Sequence, residues 1–499
     1  MFSQELQLFE NYDAFLVSGQ QNTITCNREG SLPMSIGFSG LDTPCCMQPV
    51  TIEVSPTHPL LQLAHVIPWQ ALADMVLPDL KRTTTKGTWW LGRKLTLRIH
   101  LGVLLLQWLY HLTDRQVEWA IRDKAAYQLF CGRGLVDPWH TPDHTKIEEF
   151  RSRLSPETQR QVANAVAVWA TQLGFADPSA MDIDSTVQEA NIAYPSDAHL
   201  MVKMVLLVHK VWTYIKQYIA FFADFMPCVD IKAVKAKARA YLFRDRKNPE
   251  HAQTTLRELW HEAFTQIHQV RKYFDVLLDS DIQRMPWNIR RALEQVNEHC
   301  STLFLHVASF LCRGVVVPEK ALSFHVHAVS CFNKGKAAKG LEFGRAFQVG
   351  RIGGNFLMVG ACTSIRMEDK AAVRPMIEEH QDLFGQGVLQ LFGTDKGYYS
   401  QANHDYLCAV QGLKECGLQQ PGLDIGSLAG WEAEVRARLA DRRAGIEPLI
   451  GHAKRGGQLG QSRMKTDDTT LAAGYSAIGG FNLRQLLRHL RGKDIKAMK

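Results

Sequence analysis

Apolar positions are sparse and aperiodic at the start of the chain and become regular only after about residue 58. Residues 1–57 are rich in Ser, Thr, Gly and Pro and read as a loop-rich lead-in. Helical spacing begins with Leu60-Leu61-Gln62-Leu63-Ala64 and Trp69-Gln70-Ala71-Leu72. Leu95 to Tyr110 is so apolar that it predicts a helix buried on nearly all sides, ended by His111-Leu112. Thr113 and Gln116 then have the spacing of a capping box, in which hydroxyl and amide satisfy two orphan backbone donors. Pro142-Asp143-His144-Thr145 opens a further helix, with Thr145 and Glu148 as a second capping box. Its apolar face is Ile147, Phe150 and Leu154. Residues 58–172 therefore read as a helical N-terminal domain. Two of its helices, joined by a short turn, fit either a helix-turn-helix reader of DNA or plain helix packing.

The period then changes from helical to alternating. In Ala180 to Val187, Met181, Ile183 and Val187 fall on one face and Asp182, Asp184 and Thr186 on the other, predicting a half-buried strand with its carboxylates outward. Residues 199–317 return to helical spacing and carry Lys232, Lys235, Lys237, Arg239, Arg244, Arg246 and Lys247, a helical insertion. Strands are expected at 321–329, 342–350 and 355–360, then a helix from Arg374 with Pro375 in its first turn. A short apolar strand, Val388 to Gly393, runs into Thr394-Asp395-Lys396-Gly397. Helices follow from Asn403 and from Trp431 to His452. This order predicts an α/β core built on a mixed sheet, formed by 173–198 and 318–490 around the insertion, with a basic tail at 491–499.

With 499 residues, 46% hydrophobic and 21% charged, the chain can bury a core and has room for roughly three domains. The net charge is +7, and residues 442–499 alone hold 12 Lys/Arg against 4 Asp/Glu, a balance of +8 that suits a phosphate backbone as partner. Eleven scattered cysteines without a CxxC pair argue against a disulfide framework or zinc module and for a reducing compartment. Met1 to Glu5 is polar, unlike a leader. The most apolar stretches are interrupted by Arg98 and His100, and by His306 and Arg313, so no membrane span is expected.

Three carboxylates stand where chemistry could use them. Asp184 is on the first strand, with Asp182 competing for the same role. Asp395 follows an apolar strand, at the end where α/β proteins place their sites. Glu447 lies in a late helix among Arg443, His452 and Lys454, where Pro448 would kink the helix or mark its start. Brought together, three hard oxygen donors can hold two Mg²⁺ ions for an in-line displacement at phosphorus. As solvated surface charges they would do nothing of the kind. Other features promise less. His325 and His327 lack a nearby Cys/His pair to complete a zinc site, so an ordinary sheet face is expected. Gly350-Arg351-Ile352-Gly353-Gly354 lacks Gly-Lys-Ser/Thr and reads as a hairpin turn. The Trp89-Trp90 pair reads as core or domain contact, and the stretch Lys232 to Lys247 as a solvated helix.

Four segments together resemble bacterial insertion-sequence transposases of the DDE class, in the branch related to the IS-four and IS-five groups. They are Leu112 to Gln116 with Pro142 to Thr145 and Phe150 to Leu154; Asp184 to Asp197; Lys334 to Lys336 with Glu342 to Gly344; and Asp395 to Tyr398 with Ile446 to Lys454 and Phe481 to Arg484. The resemblance implies a ribonuclease H-like catalytic core and an N-terminal DNA-binding domain. It implies catalytic, metal-binding acids at Asp184, Asp395 and Glu447, DNA contacts by Arg443 and Lys454, and Mg²⁺ (or Mn²⁺) as cofactor. The signature Y-x2-R-x3-E-x6-K is met at Arg443, Glu447 and Lys454 and fails at Ala440, where the tyrosine would stand. It further implies a bacterial, cytoplasmic, nucleoid-associated homodimer that binds terminal inverted repeats, cleaves at the element's ends and joins them to target DNA. A nuclease without strand transfer, and an inactive DNA-binding descendant, remain as alternatives.

Overall fold

A computed structural model describes residues 23–26, 50–84, 87–90, 97–135, 139–225, 227–244, 247–317, 320–333, 340–362, 364–418, 420, 422 and 431–492. Most of the lead-in, Lys334 to Lys336, Arg246, most of the basic tail and the side chains of Trp89 and Trp90 lie outside that set. The chain is mixed α/β, mostly helical, with a mixed open sheet. It divides into two compact units, residues 1–189 with 344–464 and 468–499, and residues 190–343 with 465–467.

After an antiparallel strand pair in the lead-in, Thr23–Cys26 with Val50–Glu53, the first unit has helices α1 (Pro59–Val66), α2 (Trp69–Leu80), α3 (Leu97–Tyr110), α4 (Asp114–Asp123), α5 (Ala125–Phe130), α6 (His144–Arg153) and α7 (Pro156–Gln172). Residues Leu97 to Leu109 of α3 are buried throughout, as their pattern demands, and the helix stops at His111, whose φ of 52° no helix can contain. The capping box of Thr113 and Gln116 forms in full at the start of α4. The second one does not: Asp143 caps α6, accepting from the backbone N–H of Thr145 and Lys146. A carboxylate two residues ahead of the threonine is an equally good cap, and it also gains from the helix dipole. No single described helix is long and apolar enough to cross a membrane. The bent pair α1 and α2 passes that test only jointly, and its apolar side chains belong to the core of this unit.

The sheet of this unit is built on β1 (Ala180–Glu189). After β2 (Ser330–Asn333), β3 (Leu341–Ile352) pairs antiparallel with β1, and β4 (Phe356–Val359) pairs antiparallel with β3. On the other side, β5 (Leu391–Gly393) lies parallel to β1, and β6 (Glu415–Gly417) parallel to β5. Helices cover both faces, so Asp182 and Thr186, read as outward, are 2% and 4% exposed. Alternation cannot separate two covered faces. Between β3 and β4 the chain turns through Gly354 and Asn355, both at positive φ, the expected glycine hairpin.

The outer edge of β4 is closed by two side-chain amides. Asn482 accepts from the Leu357 N–H at 2.9 Å and donates to its carbonyl at 2.6 Å; Asn164 does the same for Val359 at 2.9 and 3.0 Å. Both asparagines are fully buried. They do for this edge what another strand would otherwise do. Asn482→Ala should therefore orphan two buried backbone groups, costing about 2 kcal/mol or more. A thermal melt should fall by several degrees, and an unchanged melt would contradict the assignment.

The remaining elements of the unit are α13 (Asp369–Phe384), α14 (Gln401–Ala409), α15 (Trp431–Ala444), α16 (Ile446–Arg455) and α17 (Asp467–Leu490). α13 begins earlier than its pattern suggested, so Pro375 sits inside it rather than in its first turn. The buried face of Ala372, Val373, Met376, Ile377 and His380 carries the helix past the lost hydrogen bond. The expected single helix from Trp431 is two, broken at Gly445, with Pro448 in the first turn of the second.

The second unit is helical: α8 (Asp197–Tyr218), α9 (Ile231–Leu242), α10 (Pro249–Arg271), α11 (Asp279–Arg284) and α12 (Trp287–Arg313). Val208, Trp212, Leu259, Val296 and Phe304 lie in its own core. The strand expected at 321–329 is absent. Ser323 Oγ accepts from the N–H groups of His325 and Val326, turning the backbone out of extended pairing, and only Ser330–Asn333 is strand.

Candidate functional site

The parallel pairing of β1 with β5 ends at Asp182 opposite Gly393. Asp184, midway along β1, and Asp395, just past the end of the neighbouring β5, each lie two residues beyond that pair, and both come within reach of one guanidinium. The Gly393 position admits no side chain, because a Cβ there would run into the Asp182 carboxylate. Asp182 in turn is held by Arg442: Nε donates to both carboxylate oxygens at 3.0 Å and Nη2 to Oδ1 at 2.8 Å. That buried bidentate pair removes Asp182 from the competition with Asp184 and fixes the end of α15 over the sheet. Arg351 adds a second tie, donating to the Arg442 carbonyl at 2.7 Å. Gly445 makes the close approach of Arg351 possible, since a Cβ there would overlap the guanidinium.

From this anchor the chain enters α16, whose Ile446, Ile450 and Ala453 bury against Phe347, Val349 and Leu357 of the sheet. That docking leaves Glu447 at the rim. Arg443, next to the anchored Arg442, reaches all three acids: its Nη2 is 3.5 Å from Asp184 Oδ2, 3.6 Å from Asp395 Oδ2 and 3.7 Å from Glu447 Oε1. The two longest distances bound any pair of those oxygens to 3.6 plus 3.7, or 7.3 Å. Asp184, Asp395 and Glu447 are thus brought together around one cation. Their side chains are 18%, 51% and 65% exposed, so the cluster is closed at Asp184 and open to solvent at Glu447. Lys454 lies seven residues after Glu447 on the same helix and shares its face.

Burial raises the Asp184 carboxyl above the usual carboxylate range, and the negative charges of Glu447 and Asp395 push it the same way. Arg443 and the Ser185 N–H, 2.9 Å from Oδ1, pull it back without cancelling the rise. Behind it Tyr398, almost fully buried, donates to Gln348 Oε1 at 2.7 Å; burial and the surrounding carboxylates hold its phenol well above the usual range. A carboxyl with a raised folded pKa favours the fold below its unfolded pKa, and that contribution is lost as pH rises through the folded one. Asp184→Asn should accordingly melt higher than the parent at pH 7.5. The gain should be of the size common for relief of such strain, about 0.5–2 kcal/mol, and should vanish at pH values below the ordinary carboxylate range. Equal melts at both pH values would count against the charged cluster.

Residues 50–153, a segment that ends with α6, match a family model described as Transposase domain (DUF772). That segment is similar to a transposase domain. A protein of Rhizobium meliloti, described as uncharacterized protein ORF8 in the nfe locus, is 27% identical over 159 residues, 31% of this chain and 73% of that protein. No solved structure matches the chain. The transposase-type segment ends before Asp184, so the acidic cluster lies outside the matched residues.

Farther along α16, sequence reading missed a basic pocket. His452 and Arg455 of α16, with Arg484 and Arg488 of α17 and Phe481, line a cavity of about 270 Å³. Burial and the neighbouring Arg488 push the Arg484 guanidinium down to about 10, and its Nη2 is buried with no hydrogen-bond partner. His452 beside Glu447 and the block Phe481 to Arg484 stand out in the sequence, but nothing there joins them into a pocket. Arg484 and Arg488 lie on a helix that only the fold brings alongside α16.

Proposed function

We propose that the protein is a DNA transposase of the DDE class with a ribonuclease H-like core, in which Asp184, Asp395 and Glu447 are the catalytic acids. The observation that carries this reading is the convergence of three carboxylates, from the middle of β1, the end of the adjacent β5 and a docked helix, on the single guanidinium of Arg443. The donor set is all hard oxygen, and one oxygen of Asp184 is already oriented by the Ser185 N–H, leaving the other facing the cluster. These residues fit Mg²⁺ (or Mn²⁺), and the reading places two such ions among them. When bound, the ions supply Lewis acidity toward a phosphodiester and activation of the attacking hydroxyl.

The chain's own residues do the rest. Asp184 is repelled by its neighbours' charges, so it gains from any cation, and protons compete with metal there as pH falls. Arg443 neutralises the acids while the site is empty of substrate, and its planar fork suits a DNA phosphate. Lys454 and the pocket of Arg455, Arg484 and Arg488 extend positive charge away from the acids along the path a phosphate backbone would take. The transposase-type helices at 50–153 supply DNA binding, directed at the terminal inverted repeats, and joining two element ends to target DNA calls for a homodimer.

The test is incubation of the protein with duplexes carrying candidate inverted-repeat ends and a target plasmid, with Mg²⁺ or with EDTA. Metal-dependent nicks at the element's 3′ ends, followed by joined products, are expected. Nicks without joining would reduce the reading to a nuclease, and no metal-dependent nicking would overturn it.

A further inference from the structure

The helical unit 190–343 holds a second cluster, unrelated to the acids. Glu298 and His299 of α12 meet His327 from the irregular segment that follows the helix. His299 Nε2 lies 3.6 Å from one oxygen of Glu298, and His327 Nδ1 lies 3.3 Å from the other. The three donor atoms all fall within 4.8 Å of one another. Tetrahedral zinc with bonds of about 2.0–2.1 Å sets its ligands about 3.3–3.4 Å apart, close to the spacing found between the carboxylate and each imidazole.

The hydrogen bonding around the two rings leaves the right atoms open. His327 Nε2 lies 3.2 Å from the Phe324 carbonyl, which can only accept, so Nε2 carries the proton and Nδ1 presents a lone pair toward Glu298. A lone pair and a carboxylate oxygen at 3.3 Å repel unless something positive lies between them. His299 Nε2 is buried with no hydrogen-bond partner, its ring stacked on Phe324 at 5.4 Å and met edge-on by His327 at 4.7 Å. The loop is pinned from behind, because Asp467 accepts from the backbone N–H groups of His327 and Ala328 at 3.2 and 2.7 Å. An imidazole oriented by its other nitrogen on a carbonyl, on a backbone held in place, is how metal-ligating histidines are arranged.

We infer that Glu298, His299 and His327 bind one zinc ion, with a fourth position open to water. His325, the other half of the sequence pair, takes no part. Its Nε2 donates to the Asn191 carbonyl at 3.2 Å, and its Nδ1 meets Lys203 Nζ and Ser323 Oγ, each at 3.0 Å. The ion would clip the long helix α12 to the chain that leaves it. Loss of this clip should lower the melting temperature of the metal-loaded protein.

The experiment is a Co²⁺ titration of the chelator-treated full chain, read by visible d–d absorption, with Zn²⁺ as competitor. One equivalent with tetrahedral intensity, displaced by Zn²⁺, is expected in the parent and equally in Asp184→Asn, which separates this site from the acidic cluster. His327→Ala should weaken binding by more than the roughly tenfold to hundredfold that loss of an outer partner costs. Glu298→Gln, at a side chain 52% exposed, changes the ligand set with little risk to folding and should weaken binding likewise. No tetrahedral absorption in the parent, or unchanged titrations in both variants, would overturn the site and leave a protonated His327 as the positive group between ring and carboxylate.

Discussion

Asp395→Asn should abolish metal-dependent nicking of DNA carrying the element's ends, by at least about 10³-fold, beyond the tenfold to hundredfold cost of an outer-shell change. DNA binding and the melting temperature should stay within error of the parent. The side chain is 51% exposed and the Arg443 guanidinium it meets still has two other carboxylates, so its contribution to stability is small. That contrast gives the substitution its value: lost chemistry with intact folding and binding assigns Asp395 to the reaction. Nicking that survives within tenfold would remove Asp395 from the site.

Asp182→Ala should do the opposite and act on the fold first. It leaves Arg442 pointing into a buried position with no carboxylate, which for such pairs costs on the order of 3 kcal/mol. The midpoint of urea unfolding should drop clearly. Because Arg442 sets the end of α15 that presents Arg443 and precedes Glu447, nicking should fall with stability. The double variant Asp182→Ala, Arg442→Met should recover much of the lost stability, since an apolar pair avoids the stranded charge, without recovering nicking. Single and double variants of equal stability would show that the pair does not anchor the helix.

These two aspartates mark what could be read from the sequence. Caps, turn glycines and the buried helix at 97–110 are written in local chemistry: Thr113-Gln116 forms as read, and the turn read at 350–354 is real, though it begins only at Gly353 because Gly350 to Ile352 are strand. Local chemistry also misleads where two good candidates sit side by side, as with Asp143 and Thr145. Alternation placed Asp182 and Asp184 on one face, and they do share it. It could not tell that this face is covered over Asp182 and partly open at Asp184, because the cover is an arginine 260 positions later. The break at Gly445 was foreshadowed by Pro448, yet its cause, the passage of Arg351 beneath the glycine, belongs to tertiary structure. The same limit hid His299 from His327: a helix and a loop 28 residues apart leave no periodic trace. Asp184 falls on a strand, Asp395 just past one and Glu447 on a late helix, as their local sequence suggests, whereas their chemistry rests on the proposal above.

The most direct measurement is anomalous diffraction from crystals of the full chain soaked in Mn²⁺. A manganese peak bounded by Asp184, Asp395 and Glu447, with the Arg443 guanidinium displaced from between them, is the expected result. Carboxylates that remain on Arg443 with no manganese among them, at concentrations that support nicking, would contradict the central claim.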